Sequence, residues 1–182
     1  MKRNKSILWI TRTAISLALL VTAQIVLKAL GQLVLGSVVN LILIATTMLI
    51  GISEGITIAI LSPFLAFLLG FGPAVPQIVP VVMLGNVTIV LIWYLIAGRI
   101  DVIEKTTFVR FSIALIIAAV TKFLVLWLGV VKVVVPLLNI QNPQATVLST
   151  AFSFPQLYTA VIGGLVAISI VTPLSKIIKK NN

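Results

Sequence analysis

The stretch FVRFSIALIIAAVTKFLVLWL, from Phe108 to Leu128, holds only two charged side chains, Arg110 near its start and Lys122 near its end. A hydrocarbon layer about 30 Å thick is crossed by about 20 helical apolar residues, so this stretch reads as one membrane crossing. The signature repeats on both sides of it. Apolar runs at 7–30, 38–50, 56–69 and 81–97 precede it and one at 154–172 follows, each bounded by Gly, Pro, Asn or charge. The fold class expected is therefore an all-α integral membrane protein, a single domain over residues 1–182 built as a six-transmembrane-helix bundle. Runs 38–50 and 56–69 are short for a crossing and are expected to tilt or to extend into the neighbouring turns. Residues 130–138 are apolar but too few to cross, and the polar string NIQNPQ at 139–144 follows them; together they read as a structured loop over one mouth of the bundle.

Composition agrees with this assignment and removes most chemistry. The 182 residues are 60% hydrophobic and 9% charged, against about 45–50% and about 25% in soluble domains. With no Cys and no His, the chain lacks a disulfide framework, a thiolate nucleophile, the commonest metal ligand and the usual base at neutral pH. An enzyme is not expected, nor a cofactor or metal. No phosphate-cradling G-x-x-x-x-G-K-[ST] string occurs, and the three acids, Glu54, Asp101 and Glu104, fall between the spans. Ion-coupled transport generally uses an acid or His inside the membrane, so transport by this chain needs a motor supplied by a partner.

The net charge of +10 has two readings, nucleic acid or topology. With six spans both termini share a side, where Lys2, Arg3, Lys5, Arg12, Arg99, Lys105, Arg110, Lys176, Lys179 and Lys180 also fall. The positive-inside rule then makes both termini cytoplasmic. That accounts for all the cations except Lys28, Lys122 and Lys132, and leaves a nucleic-acid reading little to explain. The apolar stretch of the first helix is too long for a cleaved signal peptide, and it reads as a span.

Polar side chains inside the spans gather in one outer layer. Lys122 lies 14 residues beyond Phe108, about 21 Å along a helix at ~1.5 Å per residue, with the outer end of its span about two turns further on. Gln24 and, four residues on, Lys28 lie in helix one, Asn40 in helix two, Asn86 in helix four, and Gln156 and Tyr158 at the start of helix six. These seven are the candidate substrate-binding residues of a cavity open to the outside, sized for a small polar molecule. Each has a plainer reading: Lys122 as a side chain that snorkels to the interface, the amides as interhelical hydrogen bonds worth about 0.6 kcal/mol each. On helix one, Ala14 and Ala18 form a small-x-x-x-small face suited to close approach of a partner helix.

The chain resembles the substrate-binding S components of energy-coupling factor (ECF) vitamin transporters over its whole length, through about 180 residues, six helices and the string TRTAISLALL at 11–20. That string is similar to the family's Ala-x-x-x-Ala first helix. The segments GSVVN at 36–40, Ser62-Pro63, Gly72-Pro73 and Leu84-Gly85-Asn86 resemble the group associated with pantothenate uptake. The resemblance implies a vitamin-binding subunit of the bacterial plasma membrane, with Ala14 and Ala18 against a transmembrane coupling subunit that works with two ATPases. It also implies a gate at the loop 30–37. For pantothenate, Lys122 or Lys28 would pair with the carboxylate, and Gln24, Asn86 and Gln156 with the remainder. A folate or pyrimidine precursor would instead want stacking aromatics, with Trp93, Phe123, Trp127 and Tyr158 at hand. A non-transporting scaffold subunit is the competing reading from a different class.

Overall fold

The computed structural model describes residues 5–98 and 107–180, with side chains over 5–98 and 108–174. The chain folds into α1 (Lys5–Leu27), α2 (Gln32–Leu49), α3 (Ile52–Leu68), α4 (Ile78–Ala97), α5 (Thr107–Leu126), α6 (Val135–Leu137), α7 (Gln144–Ala151) and α8 (Phe154–Lys180); no strand occurs among the described residues. Five helical segments are long and apolar enough to cross a membrane, and α3 is a shorter apolar helix beside them. The chain is a multi-pass helical bundle of the membrane type.

Tightly packed cores of such bundles need small residues, because lipid tails give helices no hydrophobic reason to associate. Here α2 is the hub, packed against α8, α3, α4 and α1, while α5 lies against α4 and α8. A Cβ on Gly163 of α8 would fall 2.7 Å from Cβ of Asn40 and nearer still to the carbonyl of Ser37, so α2 and α8 meet backbone to backbone. Around that contact Leu20, Leu43, Ile44, Ile58, Ile89 and Trp93 fill a fully buried core. Outside it, exposed aliphatic side chains such as Ile15, Leu19, Ile25, Leu84, Leu95, Ile116 and Leu165 make a lipid-facing surface.

Several helix boundaries differ from those expected of the sequence. The first turns of α2 begin at Gln32 rather than 38, so the expected gate at 30–37 is a short 3₁₀ turn (Lys28–Leu30), Gly31 and helix. Gly31, at φ +84°, makes the reversal. Helix α3 takes in Ile52–Gly55, and Glu54, placed between spans by sequence, is buried in its first turn with its carboxylate accepting from Ser53 Oγ at 2.7 Å. Helix α4 starts at Ile78 and α8 runs on to Lys180 through Pro173.

The largest difference follows α5. Residues 127–134 continue it as wider π-helical turns, in which the N–H of Val135 reaches the carbonyl of Val130, and α6 completes the segment. The expected loop at 130–138 is therefore the far end of a helical segment reaching from Phe108 to Leu137. Lys122 lies near its middle, not two turns from its end. Beyond α6, α7 folds back onto the π-helical turns and α8. Ile78, Val130, Val134 and Leu148 form a second, smaller apolar core there.

The terminal cations Lys2 and Arg3, and Arg99, Asp101, Glu104 and Lys105 of the α4–α5 connection, lie outside the described residues.

Candidate functional site

A cavity of about 280 Å³ opens where α1, α3 and α5 end and α2, α4 and α8 begin, which is one end of the bundle. Its walls are Gln24, Gln32, Gly36, Val39 and Asn40 from the first two helices, and Pro63, Ala66, Phe71, Gly72 and Pro73 from α3 and its exit. Val82, Asn86, Lys122 and Leu126 come from α4 and α5, and Leu148, Ala151, Phe152 and Gln156 close the far side. Small-molecule pockets run from about 300 to 1,000 Å³, so this one suits a small solute.

Lys122 anchors the floor. It is only 3% exposed, and a Lys at the centre of a membrane helix costs about 2.5–3.5 kcal/mol on insertion scales. Two amide oxygens offset part of that cost: Nζ donates to Oδ1 of Asn40 at 2.5 Å and to Oδ1 of Asn86 at 2.8 Å. An ammonium carries three donors, which leaves one for a molecule in the cavity. Among the described lining residues Lys122 is the one ionisable side chain, and no carboxylate faces it. The floor is thus one amine among amides, with no carboxylate beside it among the described lining residues. This geometry replaces the snorkelling reading, because the side chain points into the bundle rather than along it to an interface.

The other amides divide their hydrogen bonds. Asn40 donates from Nδ2 to Oγ1 of Thr159 at 3.4 Å, and that hydroxyl donates to the carbonyl of Gln156 at 3.1 Å. Gln156 donates from Nε2 to the carbonyl of Ala151 at 3.0 Å. Gln24 Oε1 is buried with no hydrogen-bond partner, which leaves an acceptor on the cavity wall. Unsatisfied buried acceptors cost about 1–3 kcal/mol, a cost that a ligand donor would relieve.

Of the seven residues expected to bind substrate, the fold brings Gln24, Asn40, Asn86, Lys122 and Gln156 to one cavity. Lys28 stands outside its wall, exposed in the turn after α1, with Nζ 3.5 Å from the carbonyl of Gly70. Tyr158 is 55% exposed on the outer side of α8, two residues from Gln156 and so turned well away from it. The aromatic set lies elsewhere as well. Trp93 is fully buried in the core against Phe111, while Phe123 stacks between Trp127 and Phe154 on the flank of the bundle. The aromatic rings that do line the cavity, Phe71 and Phe152, are not among those expected from the sequence, and neither is Gln32. Their positions in or beside the connections give no periodic signal.

No protein-family model matches the chain, and no curated protein or solved structure is significantly similar to it.

Proposed function

We propose that this chain is the solute-binding membrane subunit of an ATP-driven uptake system of the energy-coupling factor type, and that its solute is a small water-soluble vitamin or precursor, pantothenate first. The observation that carries the reading is Lys122: a buried ammonium with two neutral amide oxygens, a spare donor and no carboxylate, at the floor of a cavity. A singly charged carboxylate supplies what that floor lacks. Hydroxyl and amide N–H groups on the same molecule suit the unpartnered oxygen of Gln24. In this reading both termini are cytoplasmic, the cavity faces outward, and the membrane is the bacterial plasma membrane. The protein itself catalyses no reaction. Ala14 and Ala18, exposed on α1, are the contact for a coupling subunit, which brings two ATPases.

A second reading, a vitamin with a flat ring such as folate, hydroxymethylpyrimidine or pyridoxine, is favoured by Phe71 and Phe152 in the cavity wall. The deciding experiment is thermal stabilisation of the purified protein in nanodiscs, without ATP, against a vitamin panel, with native mass spectrometry on the hits. Pantothenate binding upholds the first reading and a ring vitamin the second. If no solute raises the melting temperature, the amides act as helix joints only and the protein is a scaffold subunit.

A further inference from the structure

The cavity floor depends on a residue that does not line it. Asn40 can serve Lys122 only with its oxygen turned toward the ammonium, since its other face, the NH₂ group, would set donors against donors. What fixes the amide in that sense is Thr159 on α8. The Thr159 side chain is fully buried, and its hydroxyl proton is committed to the carbonyl of Gln156 at 3.1 Å. Toward Asn40 the hydroxyl is therefore an acceptor, and it takes the Nδ2–H at 3.4 Å. With Nδ2 directed at Thr159, Oδ1 is left for Lys122 at 2.5 Å. The side chain is held by close packing: a Cβ on Gly36 would lie 2.8 Å from Cγ2 of Thr159 and 3.2 Å from its Oγ1, so Thr159 sits against the backbone of α2 with little room to change between the two rotamers open to a helical Thr.

We propose that Thr159 is a positioning residue for anion recognition, acting through Asn40 to keep the Lys122 ammonium aimed into the cavity. This rests on the ligand-binding reading above and adds to it a residue with no contact to the solute. Removing the hydroxyl frees the Asn40 amide to turn. An amide that turns offers Lys122 a donor in half of its settings, and the ammonium then settles toward Asn86 alone, away from the solute.

The test compares an anion with its uncharged counterpart. Pantothenate and pantothenyl alcohol, in which a primary alcohol replaces the carboxylate, are titrated by calorimetry into the unsubstituted protein, Thr159→Val and Thr159→Ser. Thr159→Val keeps the shape and the packing against Gly36 but not the hydroxyl. It should weaken pantothenate about tenfold, leave the alcohol within about twofold, and so collapse the preference for the anion; Thr159→Ser should restore it. A purely structural role would weaken both ligands alike or neither, and either result overturns the proposal. Should Thr159→Val fail to fold, Thr159→Ala takes its place with the same two ligands and the same expected loss of preference. If the unsubstituted protein binds neither ligand, the pantothenate reading falls and this proposal with it. If it binds pantothenate and Thr159→Val keeps the full preference, only the positioning role falls.

Discussion

Lys122 on α5 and Asn86 on α4 meet through a 2.8 Å hydrogen bond between helices that run in opposite directions along the cavity. The bond ties a buried charge to a neutral partner, so the two residues stand or fall together. Asn86→Leu leaves Lys122 with one oxygen, and the loss of a hydrogen bond to a charged group costs about 1.5–3 kcal/mol. The melting temperature of Asn86→Leu should drop by many degrees, and adding Lys122→Met should recover most of the loss. A double-mutant cycle on detergent-purified protein measures the coupling; a coupling near zero would separate the two residues.

Lys122→Met alone keeps length and volume and removes the charge. It relieves the burial of a charge but leaves the Asn40 and Asn86 oxygens without their donor, and an unsatisfied buried acceptor costs about 1–3 kcal/mol. The two effects oppose each other, so the variant should fold with a melting temperature within several degrees of that of the unsubstituted protein, yet bind pantothenate at least a hundredfold more weakly. Equal affinity in an isothermal titration would remove the ammonium from the site.

Gly163 is where α8 touches the backbone of α2, with no room for a side chain near the carbonyl of Ser37. Gly163→Leu must push the helices apart, and overpacking of this kind costs about 1–3 kcal/mol or more. Because Asn40 and Thr159 lie beside the same contact, the substitution should weaken ligand binding along with stability. Thermal unfolding and titration of the same preparation check both.

Ala14 and Ala18 lie exposed on α1, away from the cavity wall. Ala14→Trp and Ala18→Trp should leave ligand affinity and melting temperature of the isolated protein unchanged. Co-purification from the native membrane should recover a coupling subunit and two ATPases with the unsubstituted chain and lose them with either variant. Recovery of all of them with both variants would move the docking face elsewhere.

Leu148 belongs to the small apolar core that holds α7 over the cavity, apart from the main core. Leu148→Ala should loosen that cover locally: faster ligand release by stopped flow, with the global melting temperature lowered less than by an equal truncation at Leu43. Unchanged release rates would detach α7 from cavity access.

Most of the bundle is legible in the sequence because apolar runs of crossing length have few alternative folds. Five of the seven candidate residues share a cavity for a related reason: a polar side chain deep in an apolar helix turns toward other polar groups, and Asn40, Asn86 and Lys122 each have one direction open. Lys28 and Tyr158 depart from expectation because they sit near helix ends, where an exposed position is as favourable as a cavity wall. Trp93 is silent in sequence: nothing local separates an aromatic ring in a core from one in a binding site. The continuation of α5 is hidden because π-helical turns do not follow the 3.6-residue period by which helices are recognised. Phe71, Gln32 and Phe152 reach the cavity only through the path of the chain between helices.

The segment from Phe108 to Leu137 is 30 residues long, which at ~1.5 Å per residue is roughly 40–45 Å, well beyond a hydrocarbon layer about 30 Å thick. A stretch of that length either tilts or overhangs the layer, and an overhang at the Leu137 end would stand as a parapet beside the cavity. Lys132, 4.9 Å from the centre of the Trp127 ring, lies toward the same end of the segment. On the solute-binding reading proposed above, such a rim would let a dissolved molecule meet the protein in the aqueous layer and descend to Lys122, whereas a lipid-dissolved one would have to climb before it could enter.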